Sequence, residues 1–267
     1  MEARHRGTKT HKRKPWNQHF SSGRGKFYAL VHNAAYDYYT RVVPTYGLKM
    51  PRKCRISAKY NLSGRSEHRA DILTLLPTSD IRVNRKKGGA YQGSDGIYAA
   101  TVHELTHAGH RELDPGMFTV FSYSSCDRKI LQESWAEGVE TIVTNDRHFK
   151  LNSNYKSTES RDKALGLARW GAWRQRREVI QLDEYTPIVE DLIDNLNQHK
   201  LNLNFPKDNV EGYKLSTIEK SLSKCRTPSQ WKIKLNHYGP SSVTSEELDE
   251  LFNYFQQVRN NLDTPCN

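Results

Sequence analysis

Ten consecutive residues, "TVHELTHAGH" from Thr101 to His110, hold three histidines and one glutamate among mostly small and apolar side chains. On a helix, His103 and His107 would lie on one face, with their Cβ atoms about 5–6 Å apart. Two imidazoles in that geometry can bind one zinc ion, and Glu104 beside them can act as a general base. The alternative is a buried helix whose histidines hydrogen-bond to one another or to the backbone.

A third ligand is needed, because a catalytic zinc ion has three protein ligands and one open position. One pattern places a histidine six residues after His107, but that position is Leu113. His110 follows His107 by only three residues, and a further turn of a straight helix carries its ring too far along the axis to share a tetrahedral ion. We therefore keep His110 as the alternative ligand.

The segment "LQESWAEGVE", residues 131–140, offers better candidates. Glu133 and Glu137 are four apart on a predicted helix, so both can face the same neighbour. Two carboxylates are costly to bury unless a cation compensates their charge. Glu133 can complete the ligand set, and Glu137 can accept the ring N–H of a ligating histidine. A solvated acidic face is the alternative, but the separation of 26 residues from His107 allows a loop and an antiparallel return.

Together these motifs resemble the gluzincin clan of zinc metallopeptidases, which includes thermolysin-like and aminopeptidase-like enzymes. "QESWAEGVE" is similar to the N-E-G-x-A-x-x-x-E segment of that clan, with Gln132 where asparagine is frequent. The resemblance covers only the chain from Asp95 to Glu140. It implies a zincin-like fold and one zinc ion per chain. The residues it implies are His103, His107 and Glu133 as ligands, Glu104 as the base and Glu137 beside a ligating histidine.

The resemblance also implies that a strand before the zinc helix forms the edge of the sheet, where substrate backbone adds as an extra strand. "DIRVNR" (80–85) and "GGAYQ" (88–92) occupy that place. In the clan, a downstream Tyr, His or Arg stabilises the oxyanion of the transition state. No spacing argument chooses among the candidates of this chain, which are Tyr123, His148, Tyr213, His237 and Tyr238.

Hydrophobic periodicity predicts a small strand region followed by a helical majority, which is an α+β arrangement. The predicted helices cover residues 27–43, 97–110, 128–143 and 162–179, and the predicted strands cover 54–60, 70–77 and 80–85. Ser94 or Asp95 is expected to cap the histidine-rich helix. Later helix starts are marked by Thr227 before Pro228, by Ser216 with Glu219 and by Thr244 with Glu247.

The net charge of +11 is concentrated at the start of the chain. Residues 1–26 carry eight Lys or Arg against one Glu, so they contribute +7 and leave +4 for the rest. Such runs are usually solvated and disordered. We therefore expect a disordered tail rather than a nucleic-acid partner. Residues 27–267 are expected to form one domain, with a strand-containing part (27–95), the active-site helices (96–148) and a helical C-terminal part (149–267).

These features predict a zinc-dependent peptide-bond hydrolase, with endopeptidase activity as the default and a peptide or protein as substrate. Two other readings are a zincin-like binding module without activity and a nucleic-acid-associated zincin anchored by the basic tail. No stretch approaches the roughly 18 apolar residues of a membrane span. Export to the periplasm or outside the cell is slightly favoured over the cytoplasm, although this chain shows no signal sequence.

Overall fold

The computed structural model describes residues 22–68, 80–119, 125–155, 186–195, 197, 199 and 207–260. Its helices are α1 (Gly23–Asp37), α2 (Val43–Tyr46), α3 (Ser94–Leu113), α4 (Cys126–Leu151), α5 (Ile188–Asp191), α6 (Leu215–Leu222), α7 (Pro228–Tyr238) and α8 (Ser245–Asn260). A π-helical turn (Tyr38–Val42) joins α1 to α2, and a 3-10 turn (Pro115–Met117) follows α3. The strands are β1 (Ile56–Ser63), β2 (Glu67–His68), β3 (Ile81–Lys87) and β4 (Ala90–Tyr91). The chain is therefore α+β and mostly helical, as predicted.

The four strands form one small mixed sheet with β3 in the middle. β1 pairs parallel to β3, from Ile56 opposite Ile81 onwards. On the other side, β2 pairs antiparallel with the start of β3 and β4 pairs antiparallel with its end. The expectation that "DIRVNR" forms the sheet edge is therefore wrong, because β3 has partners on both sides. The outer strands on the side opposite β1 are β2 and β4, and β4 lies within the predicted "GGAYQ" segment.

Most predicted elements that lie within the described residues are confirmed. The predicted helix over 27–43 is part of α1 and its π-helical extension, and the helices over 97–110 and 128–143 lie inside α3 and α4. The strands over 54–60 and 80–85 correspond to β1 and β3. The predicted strand over 70–77 and the helix over 162–179 lie outside the described residues, as does nearly all of the basic tail. No helix in the described ranges is long and apolar enough to cross a membrane.

The core is built around α3 and α4. α3 is buried along most of its length, and Val102 and Leu105 are fully enclosed. Leu131, Trp135 and Val139 form the matching apolar face of α4, at the spacing of successive helical turns. α1 also packs on α3, and in the π-helical turn that follows α1 the hydroxyl of Tyr38 lies 3.3 Å from that of Thr106. The histidine-rich helix thus packs against both α1 and α4.

Close backbone approach fixes α5 against α4. Gly138 lies on α4, and a Cβ atom at this position would meet the side chain of Val189 at 2.3 Å. Any larger residue would force the two helices apart. Thr186, just before α5, donates its backbone N–H to the hydroxyl of Ser134, 3.0 Å away. α5 therefore closes one side of α4 next to the residues predicted to bind metal.

A partly buried ion pair joins the end of α3 to the C-terminal helices. Both terminal nitrogens of the Arg226 guanidinium contact the carboxylate of Asp114, at 2.6 and 3.0 Å. The backbone N–H of Lys224 donates to the same carboxylate at 2.8 Å. These contacts lower the pKa of Asp114 against the opposing effect of its burial. We call Asp114 and Arg226 the α3–α7 clamp, because Arg226 lies just before α7.

The predicted caps of the C-terminal helices are partly confirmed. The hydroxyl of Thr227 accepts from the N–H of Gln230 at the start of α7. Thr244 and Glu247 form the predicted capping box before α8, with each side chain accepting from the other residue's N–H. The other cap predictions are wrong.

α6 begins at Leu215 with Lys214 as its N-cap, so Ser216 does not cap it. The carboxylate of Glu219 instead accepts from the backbone N–H of Lys49 at 2.6 Å. At α3 the N-cap is Gly93, not Ser94 or Asp95, and it makes no side-chain cap hydrogen bond. The carboxylate of Asp95 accepts from the N–H of Gly96 and from the hydroxyl of Tyr155. The carboxylates of Glu219 and Asp95, which were predicted to belong to helix caps, therefore have other hydrogen-bond partners.

Candidate metal centre

Three predicted ligands converge between α3 and α4. Nε2 of His103 lies 3.1 Å from Nε2 of His107 and 3.2 Å from Oε2 of Glu133. Nε2 of His107 lies 3.5 Å from Oε1 of Glu133. Donor atoms that bind zinc tetrahedrally at roughly 2.0–2.1 Å are about 3.3 Å from one another. The three side chains could therefore hold a single metal ion.

The local sequence explains why these side chains meet. His103 and His107 are one helical turn apart on α3, so their rings face the same direction. α4 returns antiparallel, as its contacts show: Glu140 lies beside His103 and Glu133 reaches both histidines. Next to Glu133, the side-chain amide of Gln132 donates to the backbone carbonyl of Met117 at 2.7 Å. This hydrogen bond ties the start of α4 to the turn that follows α3.

A second carboxylate group lies behind His103. Oε2 of Glu140 is 2.9 Å from Nδ1 of His103, the nitrogen that faces away from the predicted metal position. His103, Glu137 and Glu140 also form a group whose potential ligand atoms all lie within 4.8 Å of one another. Glu137 was predicted to contact a ligating histidine, and it belongs to this group, whereas the contact of Glu140 with the His103 ring was not predicted. The signal was present in the sequence, since Glu140 follows Glu133 by seven residues, or two turns.

The charges of the centre are strongly coupled. Burial alone raises the pKa of Glu133, but the nearby His107 and His103 outweigh it and hold that pKa well below its ordinary value. Burial lowers the pKa of His103, but Glu133 and Glu140 outweigh that effect and hold it well above its ordinary value. In the absence of a cation, the positive charge that the neighbouring carboxylates favour on His103 balances part of their charge. A metal ion would take over that role.

Glu104 lies beside the three ligands but not among them. Neither group of potential metal ligands in the described residues includes it. Its carboxyl is 5% exposed, and burial raises its pKa to about 8. His103 opposes that shift, whereas Glu133 and Glu140 reinforce it. A carboxyl group with a pKa near neutrality, next to a ligand cluster, can both accept and return a proton.

His110 is buried deeper than the two ligand histidines and belongs to neither group of potential ligands. Its ring packs at right angles to that of Phe118, with centroids 5.3 Å apart. Within the described part of the chain, neither ring nitrogen has a hydrogen-bond partner. Burial lowers its pKa to about 3 and keeps the ring neutral. The alternative ligand is therefore not brought to the centre.

The residues predicted to stabilise the oxyanion make contacts elsewhere. The hydroxyl of Tyr213 donates to the backbone carbonyl of Leu235 on α7. The ring of His237 packs on that of Tyr238, and the ammonium group of Lys220 lies over the Tyr238 ring.

His148 lies on α4 fifteen residues after Glu133, which is about 22 Å along the helix. Its Nδ1 is 2.8 Å from the carbonyl oxygen of Thr144, and its ring contacts those of Tyr98 and Tyr155. Tyr123 lies outside the described residues. None of the four described candidates therefore contacts a predicted ligand.

His68 was not predicted but lies beside the centre. It is the second residue of β2, and its ring centroid is 6.2 Å from that of His107. It also contacts the ring of Phe118, at 5.7 Å. Its position depends on strand pairing with Ile81 and not on any spacing from the H-E-x-x-H motif. The position of His68 beside His107 therefore could not be predicted from sequence spacing alone.

Comparisons of the chain with protein-family models, with curated proteins and with solved structures find no match.

Proposed function

We propose that this protein is a zinc-dependent peptide-bond hydrolase with a zincin-like arrangement of its sheet and active-site helices. The observation that carries the proposal is the spacing of the donor atoms of His103, His107 and Glu133, from 3.1 to 3.5 Å. That spacing is the one a tetrahedral zinc ion needs. Glu104 lies next to these residues without belonging to them, which matches the position of a general base.

Each residue has a separate role in the proposed reaction. When bound, zinc supplies a Lewis acid that activates water and polarises the scissile carbonyl. Glu104 accepts the proton of the attacking water and passes it to the leaving amine. Glu140 holds the ring of His103 from behind, which fixes its tautomer and leaves Nε2 free to bind metal. The substrate backbone runs along β2, the outer strand beside α3.

Metal content and peptide cleavage test the proposal together. We expect about one zinc ion per chain in the wild type and in Glu104→Gln, and little zinc in Glu133→Ala. Replacement of the exposed Glu211 by Ala is the matched control and should leave zinc content unchanged. Plasma emission spectroscopy of the proteins, purified in parallel and reconstituted with zinc, gives the metal content.

Cleavage of a peptide library, read by mass spectrometry, separates metal binding from catalysis. The wild type should cleave, and Glu104→Gln should lose about a hundredfold or more of that activity while it keeps its zinc. Zinc retained by Glu133→Ala would show that the third ligand lies elsewhere. A zinc-loaded wild type that cleaves no peptide would remove the hydrolase proposal and leave only a metal-binding protein.

A further inference from the structure

A cavity of about 310 Å³ opens next to the candidate metal centre. Its size is at the lower end of the range typical of small-ligand sites, roughly 300–1,000 Å³. Its lining includes His68 from β2 and several residues from the C-terminal half of α3. The charged residues that line it are Arg52, Lys53, Asp80, Arg111 and Glu112. A site this close to the centre and this rich in charge would contact whatever part of a substrate lies beside the reacting bond.

One helix face and one ring contact connect the cavity to the centre. Arg111 follows His107 by four residues, so it continues the helix face that carries His103 and His107, about 6 Å further along the axis. His68 lines the cavity and also lies beside the ring of His107. The cavity is therefore adjacent to the proposed ligands, on the side toward the C-terminal end of α3.

The positive charges in the cavity are not fully compensated. Glu112 is already paired, since Nε of Arg52 lies 2.9 Å from its carboxylate. Asp80 is also occupied, because it accepts from the backbone N–H of Arg55 at 2.8 Å and lies 3.8 Å from Nε of the same residue. Lys53 and Arg111 make no ion pair with any residue that the structure describes. The cavity thus offers one ammonium and one guanidinium group to a ligand.

We propose that this cavity binds a carboxylate of the peptide substrate between Lys53 and Arg111. The guanidinium group of Arg111 can hold a carboxylate through two parallel hydrogen bonds, and Lys53 adds a second positive charge. The carboxylate belongs either to an Asp or Glu side chain near the scissile bond or to the C-terminus of the peptide. The inference rests on the proposed peptide hydrolase function for its substrate class, but carboxylate binding itself can be measured without turnover.

Binding is measured by fluorescence anisotropy on the Glu104→Gln protein, so that peptides are not consumed. Three rhodamine-labelled peptide mixtures of equal length are compared: a central Asp with an amidated C-terminus, a central Asn with an amidated C-terminus, and a central Asn with a free C-terminus. The remaining positions are randomised without acidic residues. We expect one of the two carboxylate-bearing mixtures to bind about tenfold more tightly than the amidated Asn mixture. The tighter mixture identifies the source of the carboxylate.

Substitutions then locate the site. Arg111→Gln and Lys53→Gln should each remove most of the preference and leave zinc content unchanged. Lys214→Gln, an exposed position on the N-terminal side of α6, loses the same charge and should retain the preference. Equal affinity for all three mixtures, or a preference that survives both cavity substitutions, overturns the proposal.

Cleavage by the wild type separates this inference from the proposed function. If the wild type cleaves all three mixtures at equal rates and binds them equally, the hydrolase proposal stands and the carboxylate site is overturned. If the carboxylate preference in binding depends on Arg111 and Lys53 but no mixture is cleaved, the carboxylate site stands and the hydrolase proposal fails. If cleavage and binding show the same preference, both are supported.

Discussion

The helices of the metal centre and the C-terminal helices are both buried, but they are stabilised in different ways. α3 and α4 enclose His103, Glu104 and Glu137, all of which are buried. α7 and α8 instead bury Trp231 and Phe252, whose rings pack edge to face. α3 and α4 thus bury ionisable groups, whereas α7 and α8 bury apolar surface. Both α7 and α8 also start with a side-chain cap.

This difference indicates which region depends on a ligand. Apolar burial and caps stabilise α7 and α8 without any additional component. In α3 and α4, the pKa of Glu133 is held low only by the neighbouring His107 and His103, and the pKa of Glu104 is raised to about 8 because burial disfavours its charge. A bound cation would compensate the carboxylates of Glu104, Glu133 and Glu140 at once. We therefore expect metal to stabilise the first region and to leave the second nearly unchanged.

The largest effect should come from removal of the metal. Free zinc at about a thousand times its dissociation constant would add about 4 kcal/mol to the free energy of unfolding. On chelation, amide hydrogen exchange should accelerate in α3 and α4 far more than in α7 and α8. The zinc-dependent gain should disappear in Glu133→Ala. Equal acceleration in both pairs of helices would contradict the comparison, since it would mean that the metal stabilises the whole molecule uniformly.

The next effect concerns the buried Glu104 in the metal-free protein. Its folded-state pKa of about 8 is above the ordinary value of 4.5, so the folded state holds this proton more tightly than the unfolded state does. The stability that this group contributes is present at low pH and is lost as pH rises from about 4.5 through about 8. Glu104→Gln should therefore be more stable than the wild type at pH 8, by on the order of a few kcal/mol, and similar to it at pH 5.

Urea unfolding in the presence of a chelator at both pH values measures this difference. Glu250→Gln, at an exposed carboxylate on α8, serves as the control and should show little change between the two pH values. A Glu104→Gln protein that is less stable than the wild type at pH 8 would show that the ionised carboxylate stabilises the fold.

A smaller effect is expected at Glu140. Glu140→Gln should weaken zinc binding about 10- to 100-fold, because the variant no longer holds the His103 ring through a charged partner. Glu190→Gln is the matched control. Glu190 is also buried, and burial and the neighbouring Glu137 hold its pKa well above its ordinary value, but it contacts no predicted ligand in the described residues. Competition titration with a chromophoric chelator gives both affinities. Equal losses in the two variants would refute the special role of Glu140.

The smallest effect should be confined to the C-terminal helices. Thr244→Ala removes the confirmed cap of α8 and should lower the free energy of unfolding by about 1 kcal/mol. Ser216→Ala lies at a position where the capping pattern proved wrong, and it should change stability far less. Thermal unfolding of the two variants measures the contrast, and zinc affinity should be the same in both. A loss of zinc in Thr244→Ala would show that the two regions are coupled.

The sequence predicted the parts of this molecule that depend on local spacing. His103 and His107 were expected together because helical periodicity brings residues four apart onto one face, and the 26-residue separation that allows an antiparallel return placed Glu133 near them, as the structure does. The caps at Thr227 and Thr244 are equally local and were predicted correctly. The prediction of a capping box at Ser216 and Glu219 was wrong. The carboxylate of Glu219 accepts a hydrogen bond from a distant group, the backbone N–H of Lys49.

Features that depend on strand pairing could not be predicted. β2 is only two residues long, too short for an alternating pattern to show, yet its pairing places β3 in the middle of the sheet. The same pairing brings His68 beside His107, across a separation in sequence that no motif encodes. Glu140, which lies behind His103, could have been predicted because it is two helical turns after Glu133 on the same face of α4. The E-x-x-x-E spacing instead led to the prediction of Glu137.

The α3–α7 clamp has a consequence for the order in which this protein is made. The end of the histidine-rich helix is held by a residue 112 positions later in the chain. During translation, α3 and α4 leave the ribosome long before Arg226 does. At that stage the carboxylate of Asp114 has no guanidinium partner. The helices α3 and α4 can pair early, but the end of α3 acquires its final contacts only when the segment leading into α7 has been synthesised.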